Sequence, residues 1–289
     1  MERDPILRLL LISDIHLCQP LDTLLKGFFM KINFFLILFI FASFSSLAIV
    51  FLSQESFASG GPAGISRKTG YKLPLNEKLV FKVKAMGLAL ATQTNTTRGI
   101  VKKDGRNAIN IFSNVKTHKW ILMYGIDNTM ETFIDAETLN PLFYEERANE
   151  KDWKAVETVT FFKDRMKYSA KKGLKLDRKE DVENQYQSGQ WPQDELSMTY
   201  YVRQLPLEAG KTFTMYACVD SGLVKGTVKV LEKTTIKTIH GKKEVFYVTS
   251  SIGDSKFHIS ADEKRIPYRF EVKLNFGVAQ GTLDEYSAE

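Results

Sequence analysis

Short runs in which apolar and polar residues alternate dominate the chain after its first quarter. Phe81 and Val83 alternate with Lys82 and Lys84, and residues 268–276 alternate aromatic or aliphatic with charged or amide residues. A strand with one buried and one solvated face has this period of two. The pattern therefore predicts many short, half-buried strands.

Turn signals separate these runs. Asp104-Gly105 is typical of a tight hairpin, and Asn140-Pro141 marks a second turn. The predicted strands are spaced as in hairpins, and the sequence shows no internal repeat. Strands that follow one another in the chain should therefore be antiparallel neighbours in the sheet. We predict a mainly β fold, namely a strongly curved antiparallel sheet or open β-barrel with one packed helix, and a two-sheet sandwich is the alternative.

The segment that begins at Asp194 breaks the alternation and predicts the helix. Asp194 can cap free backbone N–H groups, while Leu196 and Tyr200 stand four apart and can face a sheet. Pro206 disfavours helical geometry at Leu205 and should end the element. The charged, amide-rich residues 171–190 before it predict a surface loop.

An uncharged run at residues 33–54 indicates export. As a helix it would be about 33 Å long, close to the thickness of a bilayer core. Met30-Lys31 precedes the run, and Ser56-Phe57-Ala58 follows it with the small-x-small form of a signal-peptidase site. We interpret 30–58 as a signal peptide cleaved after Ala58, or alternatively as an uncleaved inner-membrane anchor. Either way the rest of the chain is expected in the periplasm.

Residues 1–29 fit this arrangement only as an over-extended N-terminus, with Met30 as the expected initiator. Asp14 and His16 resemble the opening metal ligands of metallophosphoesterases, but the further ligands of that family are missing. We expect 59–74 to be a flexible lead-in because it is rich in glycine. Residues 75–289 are then a single exported β-rich domain.

Composition adds little chemistry. The net charge of +6 and the 26% of charged residues are typical of a solvated, mildly basic surface. Of the two cysteines, Cys18 precedes the signal, so Cys218 has no partner for an intramolecular disulfide. His118, His240 and His258 are too dispersed for a zinc site. We predict no metal, no cofactor, no nucleic-acid partner and no catalytic residue.

The helix carries the candidate ligand-binding residues. Tyr200 and Arg203 could receive an anionic head group, or Arg203 could be structural with a carboxylate partner. Asp194 and Asp262 could form the carboxylate pair of a hydrolase. Each also has an ordinary structural role, Asp194 as a helix cap and Asp262 in a turn.

Two motifs resemble a known family. The first contains Asp194, Leu196, Ser197, Tyr200, Tyr201 and Arg203 followed by Pro206, Leu207 and Gly210; the second is an acidic turn from Asp262 to Pro267 with a later Gly277. These residues, with a first segment at 75–90, resemble a family of exported bacterial proteins known only as domain of unknown function number 3108. The resemblance implies export and a curved β architecture, and it implies no known reaction. Asn76-Glu77 departs from the Gly-Glu that the family often has there.

Three functional hypotheses remain. The leading one is a non-enzymatic periplasmic protein whose concave face binds a lipid or another amphipathic envelope ligand. The second is an interaction or scaffold protein of the envelope that binds through edge strands or a tyrosine-rich surface. The third is a hydrolase of envelope polymers that uses Asp194 and Asp262.

Overall fold

The computed structural model describes residues 71–118, 121, 125–151, 153–187, 189–274 and 277–288. Within these ranges the chain forms fourteen strands, the helix α1 (Glu195–Gln204) and a short 3-10 helix at Ile252–Asp254. The strands are β1 (Lys78–Ala85), β2 (Leu88–Lys103), β3 (Arg106–Thr117), β4 (Asp127–Asp135), β5 (Pro141–Glu150), β6 (Trp153–Phe161), β7 (Arg165–Lys172), β8 (Arg178–Gln185), β9 (Thr212–Val219), β10 (Gly222–Thr238), β11 (Gly241–Ser250), β12 (Ser255–Ser260), β13 (Pro267–Leu274) and β14 (Gly277–Ser287).

All fourteen strands belong to one antiparallel sheet. Its order is β8-β7-β6-β5-β4-β3-β2-β1-β14-β13-β12-β11-β10-β9, so hairpins make every neighbouring pair except β1 with β14. The sheet is not closed, and β8 and β9 are its edges. The prediction of a mainly β, open antiparallel architecture is confirmed, and the alternative of two packed sheets is not formed.

The sheet curves until its two edges approach each other. The amide of Asn184 on β8 donates to the carbonyl of Ser221, in the turn after β9, at 2.6 Å. Gln193 forms a parallel bridge to Ala217 on β9. The segment between β8 and β9, which contains α1, therefore spans the gap that a closed barrel would fill with strand pairing.

Helix α1 begins and ends where the sequence predicts. The Asp194 side chain accepts hydrogen bonds from the backbone N–H groups of Leu196 and Ser197, and the Ser197 hydroxyl lies 3.0 Å from the Asp194 backbone N. This reciprocal capping satisfies donors that would otherwise be buried without partners. At the other end Leu205 has extended backbone angles before Pro206. Leu196 and Tyr200 face inward and are almost fully buried.

Inward-facing side chains of both halves of the sheet form one core with the helix. Phe81 on β1 and Phe270 on β13 meet edge to face, with their ring centroids 5.2 Å apart. Gly281 on β14 stands opposite Phe270, and a Cβ atom there would lie 2.1 Å from the Phe270 ring. The glycine makes room for this aromatic contact.

Several predicted boundaries are wrong. The predicted loop 171–190 contains the end of β7 and all of β8, whose outer position in the sheet needs no buried apolar face. Strands β2 and β10 are longer than the short runs of the pattern, and each contains a β-bulge. Strand β3 ends at Thr117. Residues 119–120 and 122–124 lie outside the described ranges.

The predictions for the N-terminal region fall mostly outside the described residues. The over-extended segment 1–29, the signal peptide 30–58, the cleavage site at Ala58 and most of the lead-in 59–74 all lie there. The last residues of the lead-in pack on the domain, since Leu73 is in the core and the carbonyl of Pro74 accepts a hydrogen bond from Thr97 at 2.7 Å.

A fully buried ion pair fixes the end of α1. Arg203 has no exposed surface, and its two terminal nitrogens donate to the two carboxylate oxygens of Glu77, each at 2.7 Å. Its Nε donates to the carbonyl of Arg265 at 2.9 Å. The guanidinium therefore joins the helix to the residue preceding β1 and to the turn preceding β13.

Aromatic rings and backbone groups complete this site. The rings of Tyr71 and Tyr200 lie 5.4 and 5.3 Å from the guanidinium carbon. The backbone N–H of Glu77 donates to the hydroxyl of Thr97 at 2.8 Å. Arg203 thus has the carboxylate partner that its structural interpretation requires.

Among the helices of the described ranges, none has the length and apolar character needed to cross a membrane.

We expect Arg203→Met to destabilise the protein strongly. The change leaves the Glu77 carboxylate buried without a partner, which costs about 3–5 kcal/mol in comparable buried pairs. The double variant Glu77→Leu/Arg203→Met leaves no unpaired charge and should cost less than the single one. Urea unfolding measures both free energies.

The control is Arg147→Met, which removes an exposed arginine paired with Glu145 on the surface. Its effect on the free energy of unfolding should stay below about 1 kcal/mol. A double variant at the buried pair that is less stable than Arg203→Met alone contradicts the role assigned to this pair.

Candidate functional site

A narrow pocket lies between α1 and the inner face of the sheet. Its cavity volume is about 60 Å³. This small volume means that the pocket is narrow. It suits a slender chain better than a bulky ring system.

The walls of the pocket are apolar and come from elements distant in sequence. Strands β1, β12 and β13 and the 3-10 helix supply its main apolar side chains, which are Phe81, Ile252, Phe257, Pro267, Phe270 and Val272. Helix α1 adds Met198 and Thr199. On β13, Phe270 and Val272 stand two positions apart, because alternate residues of a strand point to the same face.

Strand β2 brings a polar group to this pocket. The side-chain amide of Gln93 donates to Asn95 at 3.0 Å and to the hydroxyl of Ser113 at 3.4 Å. The same hydroxyl donates to Asn95 at 2.7 Å. The Gln93 oxygen Oε1 has no hydrogen-bond partner although the residue is 0% exposed. A buried acceptor without a partner is costly and usually has a reason.

Helix α1 brings a second such group. Glu195 is the first helical residue and lines the pocket, and its Oε2 is shielded from solvent without a hydrogen-bond partner. Burial and the nearby Glu146 carboxyl raise the pKa of Glu195 well above its ordinary value. The polar part of the pocket thus holds two unpartnered oxygen atoms.

Behind Glu195 lies a compartment rich in carboxyl groups. Tyr144 donates to Glu146 at 3.2 Å, and Tyr168 donates to Glu157 at 2.7 Å. Lys172 forms an ion pair with Glu157 at 3.3 Å. We call Glu146, Glu157, Asp194, Glu195 and Asp220 the acidic compartment.

The buried carboxyl groups of this compartment hold protons more tightly than exposed ones do. Burial, followed by the charge of Glu157, raises the pKa of Glu146 from 4.5 to about 8. The same two causes raise the pKa of Asp220 to about 6. Burial raises the pKa of Asp194 to about 6 in spite of the hydrogen bonds that it accepts.

The two predicted ligand-binding residues do not line the pocket. Arg203 is occupied by Glu77, and Tyr200 is 1% exposed in the core. Both residues belong to α1, but a different side of that helix faces the pocket. Glu195, Met198 and Thr199 are the residues on that side.

The predicted motif residues have local structural roles. Asp194, Leu196 and Ser197 form the capped start of α1, and Gly210 has a φ of 85° in the turn before β9. Asp262 accepts hydrogen bonds from Ser260 and from the backbone of Lys264 in the turn before β13. Pro267 starts β13, and Gly277, with a φ of 147°, starts β14.

The hydrolase pair of the third hypothesis is separated. Asp194 caps the start of α1 and also accepts a hydrogen bond from Thr132 at 2.7 Å. Asp262 lies in the turn that meets the other end of α1 through Arg203. The ten residues of the helix rise about 15 Å, whereas glycosidase carboxylates stand roughly 5–9.5 Å apart.

The histidines serve in local contacts between strands. Nδ1 of His240 lies 2.8 Å from the Tyr268 hydroxyl, and the ring of His258 stacks on Tyr247 at 4.9 Å. Within the part of the chain that is described, no group of three His, Cys, Asp or Glu residues could hold a metal ion. Cys218 is buried and unbridged.

The sequence analysis missed Gln93 and Glu195. One signal was present in residues 92–97, which are polar at every position and therefore place polar side chains on both faces of β2. Glu195 carried no such signal, because an acidic residue in a first helical turn is ordinary.

We expect the stability of the protein to fall as the pH rises from about 5 to about 8. The folded state keeps a proton on Glu146 that the unfolded chain releases near 4.5, so the stabilisation is complete below that value and is lost through about 8. Glu146→Gln mimics the protonated form. It should reduce the change in the free energy of unfolding over this pH range by on the order of a few kcal/mol. Urea unfolding across this pH range measures the effect.

The matched control is Glu145→Gln, at the neighbouring position of β5, where the carboxylate accepts from Arg147 on the surface. This variant should keep the slope of the unaltered protein. An unchanged slope in Glu146→Gln contradicts the assignment.

Comparison with known proteins identifies a family and assigns no chemistry. The model of the family described as "Protein of unknown function (DUF3108)" matches residues 80–284. A crystal structure of a β-barrel-like protein of domain of unknown function DUF1849 from Brucella abortus is similar with a TM-score of 0.48 and 10% identity, over 76% of this chain and 99% of that one. No curated protein matches. Because the family match covers most of the sequence, the chain belongs to the DUF3108 family of proteins of unknown function.

Proposed function

We propose that this chain is a non-enzymatic binding protein that holds the apolar chain of an amphipathic molecule, such as a lipid, in the pocket beneath α1. The observation that carries the proposal is the pocket itself. It is narrow, its walls are mostly apolar, and two oxygen atoms of its lining residues have no hydrogen-bond partner. Ligand sites commonly have this composition, with a few polar groups that orient the molecule in an apolar cleft.

Burial of an apolar chain would supply most of the binding free energy. Each methylene group removed from water contributes about 0.8 kcal/mol. The aromatic side chains Phe81, Phe257 and Phe270 offer contact surface on several sides of such a chain. Widening the pocket requires movement of side chains such as Met198, which is unbranched and only partly buried.

We expect the protein to bind parinaryl alcohol, an uncharged straight-chain polyene that fluoresces in apolar sites, and decanol to displace it. Met198→Trp fills the pocket from the helix and should weaken both interactions by at least about tenfold, or about 1.4 kcal/mol. Fluorescence titration measures the affinities.

The control for the added indole is Leu231→Trp, on β10, where Leu231 is 49% exposed and does not line the pocket. It should bind like the unaltered protein. Absence of saturable binding, or equal binding by Met198→Trp and Leu231→Trp with folding intact, would contradict the proposal.

We also propose that the protein acts in the bacterial periplasm. The support is the uncharged run at 33–54 behind Met30-Lys31 and the site at Ala58. When the full chain is expressed in a Gram-negative bacterium, we expect it in the periplasmic fraction. Its intact mass should be that of a chain beginning at Ser59. Ala58→Leu places a large residue where the peptidase needs a small one and should leave the longer form. Recovery of the unaltered chain from the cytoplasm contradicts export.

A scaffold function is the second candidate, and one observation favours it. Strand β10 pairs with β9 only as far as Lys229, and no described strand covers its outer edge over residues 231–238. Leu231 is an exposed apolar residue on this edge. An extended segment of another envelope protein could add a strand there.

A further inference from the structure

We propose that the ligand carries a primary ammonium head group, which Glu195 and Gln93 bind together at the polar part of the pocket. This inference rests on the proposed function, because it names the chemistry of the molecule whose apolar chain fills the same pocket. It follows from which polar atoms are free there and from the charges that surround them.

Gln93 requires a hydrogen-bond donor. Its amide nitrogen is already bound to Asn95 and Ser113, which fixes the orientation of the side chain. The free atom is therefore the carbonyl oxygen, which can only accept. An ammonium, a hydroxyl or an amide can donate to it, whereas the oxygens of an ionised carboxylate cannot.

Glu195 selects for positive charge among these donors. Its Oε2 is shielded from solvent and unpartnered, and Glu146, Glu157, Asp194 and Asp220 act on it. An ammonium ion beside Glu195 stabilises the ionised carboxylate, which a neutral hydroxyl does not. Burial is the first cause of the raised pKa of Glu195 and the neighbouring carboxyl groups are the second, and a bound cation would offset both.

The rest of the pocket offers no cationic side chain to an anion. No lysine, arginine or histidine is among the described residues that line it. Lys172 lies in the acidic compartment but is engaged with Glu157 and Glu180, each at 3.3 Å. An anionic head group would face unpartnered oxygens without a counter-charge.

The test compares three molecules with a ten-carbon chain, decylamine, decanol and decanoate, as competitors of parinaryl alcohol at neutral pH. Decylamine should displace the probe at a concentration at least about tenfold lower than decanol, because a hydrogen bond between charged groups is about twice as strong as a neutral one. Decanoate should be the weakest.

Glu195→Gln should reduce the affinity for decylamine to about that for decanol. The control Glu208→Gln removes the same charge from an exposed residue outside the pocket and should keep the preference. The comparison of the three molecules needs no variant, so it tests the preference for an ammonium head group even where Glu195→Gln folds poorly.

The outcomes separate the two proposals. Displacement by all three molecules with decanol or decanoate equal to or better than decylamine overturns the ammonium head group and leaves apolar-chain binding intact. A preference for decylamine that persists in a folded Glu195→Gln variant overturns the role of Glu195. If none of the three displaces the probe, the proposed function itself fails.

Discussion

The buried pair of Arg203 and Glu77 is the interaction on which the position of the helix depends. Arg203 stands in the last turn of α1, and Glu77 immediately precedes β1, the strand that joins the two halves of the sheet. Removing two opposite charges from water is costly, and their attraction offsets this cost only where they are close and fully hydrogen-bonded. This requirement gives the pair a single acceptable arrangement and therefore fixes one end of the helix relative to the sheet.

The other end of the helix is held by a different part of the sheet. Asp194 caps the first turn and also binds Thr132 on β4. The helix is thus held at its start by β4 and at its end by Glu77 and the turn before β13. Because both attachments are polar and buried, they have defined geometry, and the helix lies across the interior as a fixed wall of the pocket.

The interior that results has two different environments. On one side of the helix start is the thin apolar pocket, and on the other is the acidic compartment, with Glu195 in contact with both. Unpaired oxygens and protonated carboxyl groups reduce stability relative to an apolar filling. An unpartnered polar group in a folded protein usually has a reason, and here two of them line a pocket, which is why this boundary is the candidate site.

The sequence by itself determined the elements that depend on local chemistry. The period of two predicted most strands, and Asp194 and Pro206 marked the limits of α1, because pleating and capping involve residues close in the chain. It failed at β8, an edge strand that needs no apolar face, and at the bulges of β2 and β10. Only the tertiary structure decided that Arg203 meets a carboxylate 126 residues away and that Gln93 and Glu195 share one pocket. Curvature of the sheet brings these residues together, and no local pattern encodes a contact that depends on the curvature of a sheet of fourteen strands.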